Sequence, residues 1–316
     1  MNAALTYLNI AVFAMAGAIA REGIEHLTLF HGSFTESGLV WANFGGCIVM
    51  GWVNATNLFE NVEKERGVTK KQLPLFLGIG TGFCGSLTSF STLMLEGFLY
   101  GANQNDTKLG YPNAGYGVQS VMSIGLINFG LSFAGLKVGH HLADLVPLPP
   151  LSSKVERLLS SFIAAASIAL FCIFIIFAGL WKSWRWWTYL GLFGIPGALL
   201  RWQLSKLNGK LPLGTFSANI LACIVLAVCV LLQRGKTNTS STQLVHSFLQ
   251  CQILDGIMNG FCGCLSTIST FVNEMYGMNY KRAYIYGFAT SFVGFSMMVI
   301  IVGSFAWTQS LVSPAC

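Results

Sequence analysis

Apolar stretches near or above bilayer-spanning length recur along the whole chain: 4 to 20, 38 to 58, 73 to 100, 115 to 142, 158 to 181, 186 to 204, 213 to 233, 243 to 276 and 281 to 307. A helix needs about 20 such residues to cross the hydrocarbon core. The sequence therefore predicts an all-α integral membrane protein with nine transmembrane helices and little chain left for a separate soluble domain. Helices are the expected form because lipid-facing backbone must satisfy its own hydrogen bonds, and no alternating strand pattern supports a barrel. Of 316 residues, 9% are charged and 53% hydrophobic, a balance that excludes an ordinary soluble globule.

The net charge of +6 would suggest nucleic acid in a soluble protein; in a membrane protein its placement sets topology instead, and no nucleic-acid partner is expected. If the spans alternate, the loops on the amino-terminal side hold twelve basic residues (Lys64, Arg66, Lys70, Lys71, Lys137, Lys154, Arg157, Arg201, Lys206, Lys210, Lys281 and Arg282). The other side holds six: Arg21, Lys108, Lys182, Arg185, Arg234 and Lys236. That excess places the amino terminus in the cytosol and the carboxyl terminus outside. Two glycosylation sequons, Asn105-Asp106-Thr107 and Asn238-Thr239-Ser240, fall on the outer side of the same topology. Ala14-Met15-Ala16 resembles a signal-peptide cleavage site, but no basic region precedes it and the end of that span recurs later, so the first span is expected to be retained. The nine cysteines lie mostly inside apolar spans without zinc spacing, and are expected to be buried free thiols.

Residues 78 to 96, GIGTGFCGSLTSFSTLMLE, match 256 to 274, GIMNGFCGCLSTISTFVNE, at ten of nineteen positions with a constant offset. Gly17-Ala18 and Arg21 match Gly197-Ala198 and Arg201; Ala42-Asn43 with Cys47-Ile48-Val49 matches Ala218-Asn219 with Cys223-Ile224-Val225; Tyr116-Gly117 and Ser120 match Tyr286-Gly287 and Thr290. The chain is thus a duplication of a four-span unit, 1–150 and 185–316. The segment 151–184, which has no counterpart, supplies a ninth span that turns the second unit upside down. Inverted repeats with a site at their interface are a common transport architecture. With Trp181, Trp184, Trp186 and Trp187 crowding its end, the connecting span is expected to face lipid as a tether.

In the third and eighth spans, Gly78 and Gly82, then Gly256 and Gly260, form small-residue faces expected to bring the halves together. Directly after them, Gly85-Ser86-Leu87-Thr88-Ser89 and Gly263-Cys264-Leu265-Ser266-Thr267 interrupt apolar sequence with small, hydroxyl-rich residues near mid-membrane. A single such segment reads better as a kinked helix whose hydroxyls bond back to the preceding turn. Two inverted copies would meet near a pseudo-twofold axis, where the carbonyls freed by a broken helix could enclose one cation.

At this point the sequence resembles a known family. GFCGSLTSFST and GFCGCLSTIST are similar to the GxxTTFST signature of the Fluc and FEX (CrcB-like) fluoride channels, and the Asn43 and Asn219 helices and the Arg21 and Arg201 positions fit the same pattern. The fused two-domain form with a connecting helix resembles the eukaryotic branch. The resemblance implies a passive fluoride channel of the plasma membrane, functional as a monomer that is internally a pseudo-dimer, with fluoride and the lipid bilayer as its partners. It also implies a structural sodium ion held by backbone carbonyls of Gly85, Thr88, Gly263 and Ser266, a serine standing at the last position where the family has threonine. Family pores pair two phenylalanines from opposite halves; the matching positions are Phe90 and Leu93, Ile268 and Phe271. One pore then keeps the pair Phe90 with Phe271, and the other, receiving Leu93 with Ile268, is expected to be vestigial. Asn43, Asn219, Ser120, Thr290, Tyr116 and Tyr286 complete the implied pore lining, and Arg21 and Arg201 the vestibule.

The residue types suit the task independently. A bare anion in mid-membrane costs several kcal/mol at least, and a sodium ion about 10 Å away returns roughly 1 to 2 kcal/mol at an effective dielectric near 20. Hydrogen bonds to a charged partner add about 1.5 to 3 kcal/mol each, so an asparagine amide and one or two hydroxyls close the gap. A phenylalanine edge is electropositive and holds an anion loosely. Against this, most of the 24 phenylalanines pack, intramembrane asparagines often bridge helices, the two arginines can anchor at the interface, and the tyrosines can sit in an aromatic belt. Glu96 and Glu274 would repel an anion and are assigned a structural role. No HExxH, GxSxG or P-loop is present, so the chain is not expected to be an enzyme. The alternative is a proton-coupled secondary transporter, which needs a membrane-embedded carboxylate.

Overall fold

The computed structural model describes residues 3–28, 37–104, 110–236, 244–309 and 311–316. Both sequons, at Asn105 and Asn238, lie outside the described residues. Among those residues no strand forms, beyond an isolated bridge between Asn208 and Pro212.

In chain order the first repeat comprises α1 (Ala3–Thr28), α2 (Leu39–Ala55), the short α3 (Glu60–Arg66), α4 (Pro74–Leu77), a π-helical stretch Gly78–Cys84, α5 (Gly85–Leu87), α6 (Phe90–Gly101) and α7 (Ala114–Leu145). Next comes α8 (Ser153–Leu180). The second repeat follows as α9 (Arg185–Ser205), α10 (Leu213–Arg234), α11 (Phe248–Asp255), a second π-helical stretch Gly256–Cys262, α12 (Gly263–Leu265), α13 (Ser269–Tyr276), and α14 (Tyr280–Met298), which continues through a π-helical stretch into α15 (Ser304–Gln309). Among the described residues five helices are long and apolar enough to cross a membrane: α1, α7, α8, α10 and the stretch Tyr280–Gln309. Asn113, Ser152 and Asn279 each accept a backbone N–H at the start of α7, α8 and α14, replacing an intrahelical partner that the first turn lacks.

The glycines of the π-helical stretches work within each repeat. A Cβ on Gly78 or Gly82 would strike Phe13 of α1, and one on Gly256 or Gly260 would strike Phe193 of α9. The expectation that these faces join the two halves is therefore corrected: they let the π-helical stretch lie against the first helix of its own repeat. The halves meet instead along α1 and α9 and at the polar segments that follow the glycines.

The two repeats differ in how their second and last helices meet. Between α2 and α7 the backbones touch: a Cβ on Gly51 would fall on the Leu136 carbonyl, and one on Gly139 on the Ile48 carbonyl. The glycines of α14 face elsewhere, Gly287 toward Met275 and Gly294 toward Phe90. At the start of α10 a cavity of about 360 Å³ opens against α14, bordered by Phe216, Arg282, Tyr286 and Thr290.

The connecting helix α8 exposes most of its length, as a lipid-facing tether would, but it is docked along one stripe. Glu156, Ser160, Ala164 and Ser167, four or three residues apart, are buried. Asn9 of α1 donates to the Ser160 carbonyl at 2.9 Å, and Arg66 Nη1 pairs with Glu156 at 2.7 Å. The cysteine expectation is also corrected in part. Cys251 is joined to Cys316 by a disulfide across 65 residues of sequence, and Cys172 is exposed, while Cys47, Cys84, Cys223, Cys229, Cys262 and Cys264 are buried free thiols.

Candidate functional site

After Leu87 the backbone leaves the helix. Thr88 is extended (φ −101°, ψ 143°), Ser89 likewise (φ −135°, ψ 123°), and α6 starts at Phe90. In the second repeat Ser266 is extended (φ −85°, ψ 163°) before α13 begins at Ser269. These residues sit in the interior: Ser86, Thr88, Ser89, Ser91, Ser266, Thr267 and Ser269 are fully buried. A helix that starts there has backbone N–H groups with no carbonyl to bond and no water to replace it.

The missing acceptors come from the opposite repeat. Thr88 Oγ1 accepts from the N–H groups of Ile268 and Ser269 at 3.2 and 3.1 Å, at the head of α13. Ser266 Oγ accepts from the Ser91 N–H at 3.0 Å, in the first turn of α6. Thr88 and Ser266 are equivalent residues of the repeat, so each unit caps the other's helix. Serine and threonine both carry the required hydroxyl, which accounts for the departure from threonine at Ser266.

Asn43 and Asn219 serve the breaks directly. Asn43 Oδ1 accepts from the Ser89 N–H at 3.0 Å, and Asn219 Oδ1 from the Thr267 N–H at 2.8 Å. Their amide nitrogens then diverge. Asn43 Nδ2 donates to Asn128 Oδ1 of α7 at 3.0 Å, whereas Asn219 Nδ2 makes a long 3.3 Å bond to the Thr267 carbonyl. Asn43 is thereby held in the α2–α7 seam, and Asn219 retains donor capacity.

Arg21 and Arg201 do not lie in an open vestibule: they are 1% and 3% exposed. Arg201 Nη1 donates to the carbonyls of Gly85 at 2.6 Å and Ser266 at 2.9 Å, while its Nη2 donates to Thr81. Arg21 Nη1 donates to the Ser86 carbonyl at 2.7 Å and its Nη2 to the Asn259 carbonyl. Burial of a cation this deep is tolerable only where such partners surround it. Two of the four carbonyls that the family resemblance assigns to sodium, Gly85 and Ser266, are thus bonded to a guanidinium. A sodium ion on those oxygens would lie about 4 Å from that charge, a repulsion of about 4 kcal/mol at an effective dielectric of 20. As arranged here, the four carbonyls do not fit a free ion.

The aromatic pair stands in contact. The rings of Phe90 and Phe271, both fully buried, meet edge to face with centroids 5.6 Å apart. Phe271 also meets Tyr286 at 5.0 Å, and Phe90 lies against Gly294, so both rings adjoin α14. Leu93 and Ile268 are buried as well. Tyr286 is buried and donates to Glu274 at 3.0 Å, and Thr290 donates back to the Tyr286 carbonyl at 2.7 Å. Their first-repeat equivalents are placed differently: Tyr116 is 47% exposed and stacks on Tyr111, and Ser120 shares a 2.9 Å hydrogen bond with the Tyr111 hydroxyl.

Some residues of the site escaped the sequence reading. Asn128 and Ser132 continue the buried face of α7 eight and twelve residues after Ser120, a spacing that was legible. Asn208 and Thr215 were missed as well: with Tyr286 they donate to Glu274, at 2.9 and 2.6 Å, an assembly from four separate segments that no sequence spacing announces.

Two tandem units of apolar helices, whose buried polar interruptions complete each other, define a multi-pass membrane protein of the duplicated-repeat class. The chain belongs to the CrcB-like family, described as "CrcB-like protein, Camphor Resistance (CrcB)", whose model matches residues 8–135 and again 188–304. Among curated proteins, Fluoride export protein 1 of Candida albicans is 39% identical over 321 residues, covering 96% of this chain and 80% of that one. Fluoride export protein 1 of Saccharomyces cerevisiae is 29% identical over 366 residues, covering 98% and 95%. The bacterial Fluoride-specific ion channel FluC 1 of Lactobacillus delbrueckii is 33% identical over 98 residues, 31% of this chain and 66% of that one. No solved structure matches. Members of such a family move ions rather than transform substrates, and the chain is not an enzyme.

Proposed function

We propose that this protein is a fluoride channel that passively exports fluoride from the cytosol through one conducting pore. The reading takes the chain as nine membrane-crossing segments, with 1–150 and 185–316 as inverted repeats joined by 151–184, in the plasma membrane with the amino terminus in the cytosol. The observation that carries it is the buried Phe90–Phe271 pair set against α14, with Phe271 on Tyr286, which together with Thr290 borders the cavity between α10 and α14. Fluoride would enter past Arg282, meet the Thr290 hydroxyl and the Asn219 amide, and pass the electropositive edges of the two rings. Between α2 and α7 the backbones touch and Asn43 is bonded to Asn128, which supports a vestigial second route.

Fluoride efflux from liposomes holding the purified protein tests this. Phe90→Leu and Phe271→Leu should abolish flux, whereas Leu93→Met and Ile268→Leu, which conserve volume, should leave it near wild type. Equal sensitivity at all four positions contradicts a single pore. A proton-coupled transporter is the second reading, favoured by the Glu274 carboxylate bonded to Tyr286 beside Phe271. Flux that is electrogenic and needs no proton gradient supports the channel; strict proton coupling that disappears in Glu274→Gln supports the transporter.

A further inference from the structure

The repeat offset relates Thr81 to Asn259 and Gly85 to Gly263, each pair 178 residues apart. The two arginines respect that symmetry in a crossed sense. Arg201, from the second repeat, donates to the Thr81 carbonyl in the π-helical stretch of the first; Arg21, from the first, donates to the Asn259 carbonyl in that of the second. The glycines repeat the crossing. A Cβ built on Gly85 would overlap the Arg201 guanidinium, and one on Gly263 would overlap the guanidinium of Arg21.

We infer that Arg201 and Arg21 are the resident cations of the twin breaks, each locking the opposite repeat, and that Gly85 and Gly263 are glycines because a guanidinium occupies the space of a side chain. Arg201 carries this furthest. Its Nη1 binds one carbonyl from each repeat, Gly85 and Ser266, as a cation on the pseudo-symmetry axis would. Among the described residues it has no carboxylate at ion-pair distance, while Arg21 lies 3.7 Å from Glu25. Its Nε–H, fully buried, has no acceptor among them. The positive charge at the centre is therefore covalently attached and not neutralised locally, and it cannot dissociate as a bound ion can. Only its effect on a passing anion rests on the channel reading; the crossed lock stands without it.

Thermal unfolding of the full-length protein in detergent provides the test, because it needs no fluoride. Melting temperatures in sodium chloride and in N-methylglucamine chloride of equal ionic strength should coincide. A saturable rise specific to sodium would overturn the assignment, and this measurement on the wild type requires no variant to fold. Double-mutant cycles test the crossing. Gly85→Ala should cost much less in an Arg201→Ala background, and Gly263→Ala much less with Arg21→Ala, while the same-repeat combinations couple more weakly. Coupling of Gly85 to Arg21 at least as strong as to Arg201, or no coupling at all, would refute it. Fluoride efflux is then compared in the same two salts: unchanged flux agrees with resident arginines, and loss without sodium argues against them. A protein that passes no fluoride in either salt refutes the channel reading alone and leaves the melting data to judge the lock.

Discussion

A hydroxyl at Thr88 is a small group with a large structural duty. It accepts two buried N–H groups from the other repeat, and no water can take its place. Thr88→Val, nearly isosteric, should destabilise the protein by about 2–4 kcal/mol, since each buried donor left unpaired costs about 1–3 kcal/mol. Thr88→Ser should be mild, because Ser266 already performs the equivalent role with a serine. Chemical unfolding in detergent measures both, and equal losses for valine and serine would contradict the capping role. The family resemblance implies only a backbone role at Ser266; the folded chain shows that its side chain is used. In Asn43 and Asn219 the two ends of one carboxamide act separately. The oxygen of each holds a break, and the nitrogen is committed in Asn43 but less so in Asn219.

Each helix following a break starts with unsatisfied N–H groups inside the protein, so its stability depends on partners far away in sequence. The π-helical stretches just before the breaks were not anticipated. Their glycines allow α1 and α9 to approach closely, which a side chain would prevent. The pairing of second and last helices differs between the repeats, and in the single-pore proposal that difference separates the two routes. Thr290→Val removes a donor bordering the α10–α14 cavity and should lower fluoride flux several-fold with little change in melting temperature. Ser120→Ala, in the repeat where α2 and α7 touch, should leave flux unchanged. Comparable losses for both would mean that both sides conduct. The seam itself is tested by Gly139→Ala: a methyl group where the Ile48 carbonyl lies should cost about 1–3 kcal/mol or more, as overpacking does.

At the scale of the whole molecule, α8 and the disulfide fasten parts that the breaks do not. Arg66 joins the region after α2 to Glu156 of α8, and Cys251–Cys316 ties the carboxyl-terminal tail to α11. Closing a loop across 65 residues limits the unfolded chain and contributes about 2–4 kcal/mol. Cys316→Ser should lower the melting temperature, and a disulfide reductant should lower it in the wild type but not in the variant. An equal response of both would place the reducible bond elsewhere. This pairing was hidden in the sequence because Cys251 lies within an apolar stretch and Cys316 sixty-five residues on, and nothing in composition brings the ends of a chain together.

The helical membrane character, the duplication and the positions of the polar interruptions were all legible in the amino-acid order. Those follow from local physics: a run of apolar residues must bond its own backbone in lipid, and a repeat at constant offset is visible without folding. Tertiary structure decided which oxygen meets which donor. Thr88 caps a helix 180 residues away, Arg201 reaches Gly85 rather than the water, and the two repeats, nearly alike in motif, pack one seam shut and leave the other parted. A buried hydrogen bond is directional over about 3 Å, and only a finished packing arrangement brings groups from distant segments within that reach.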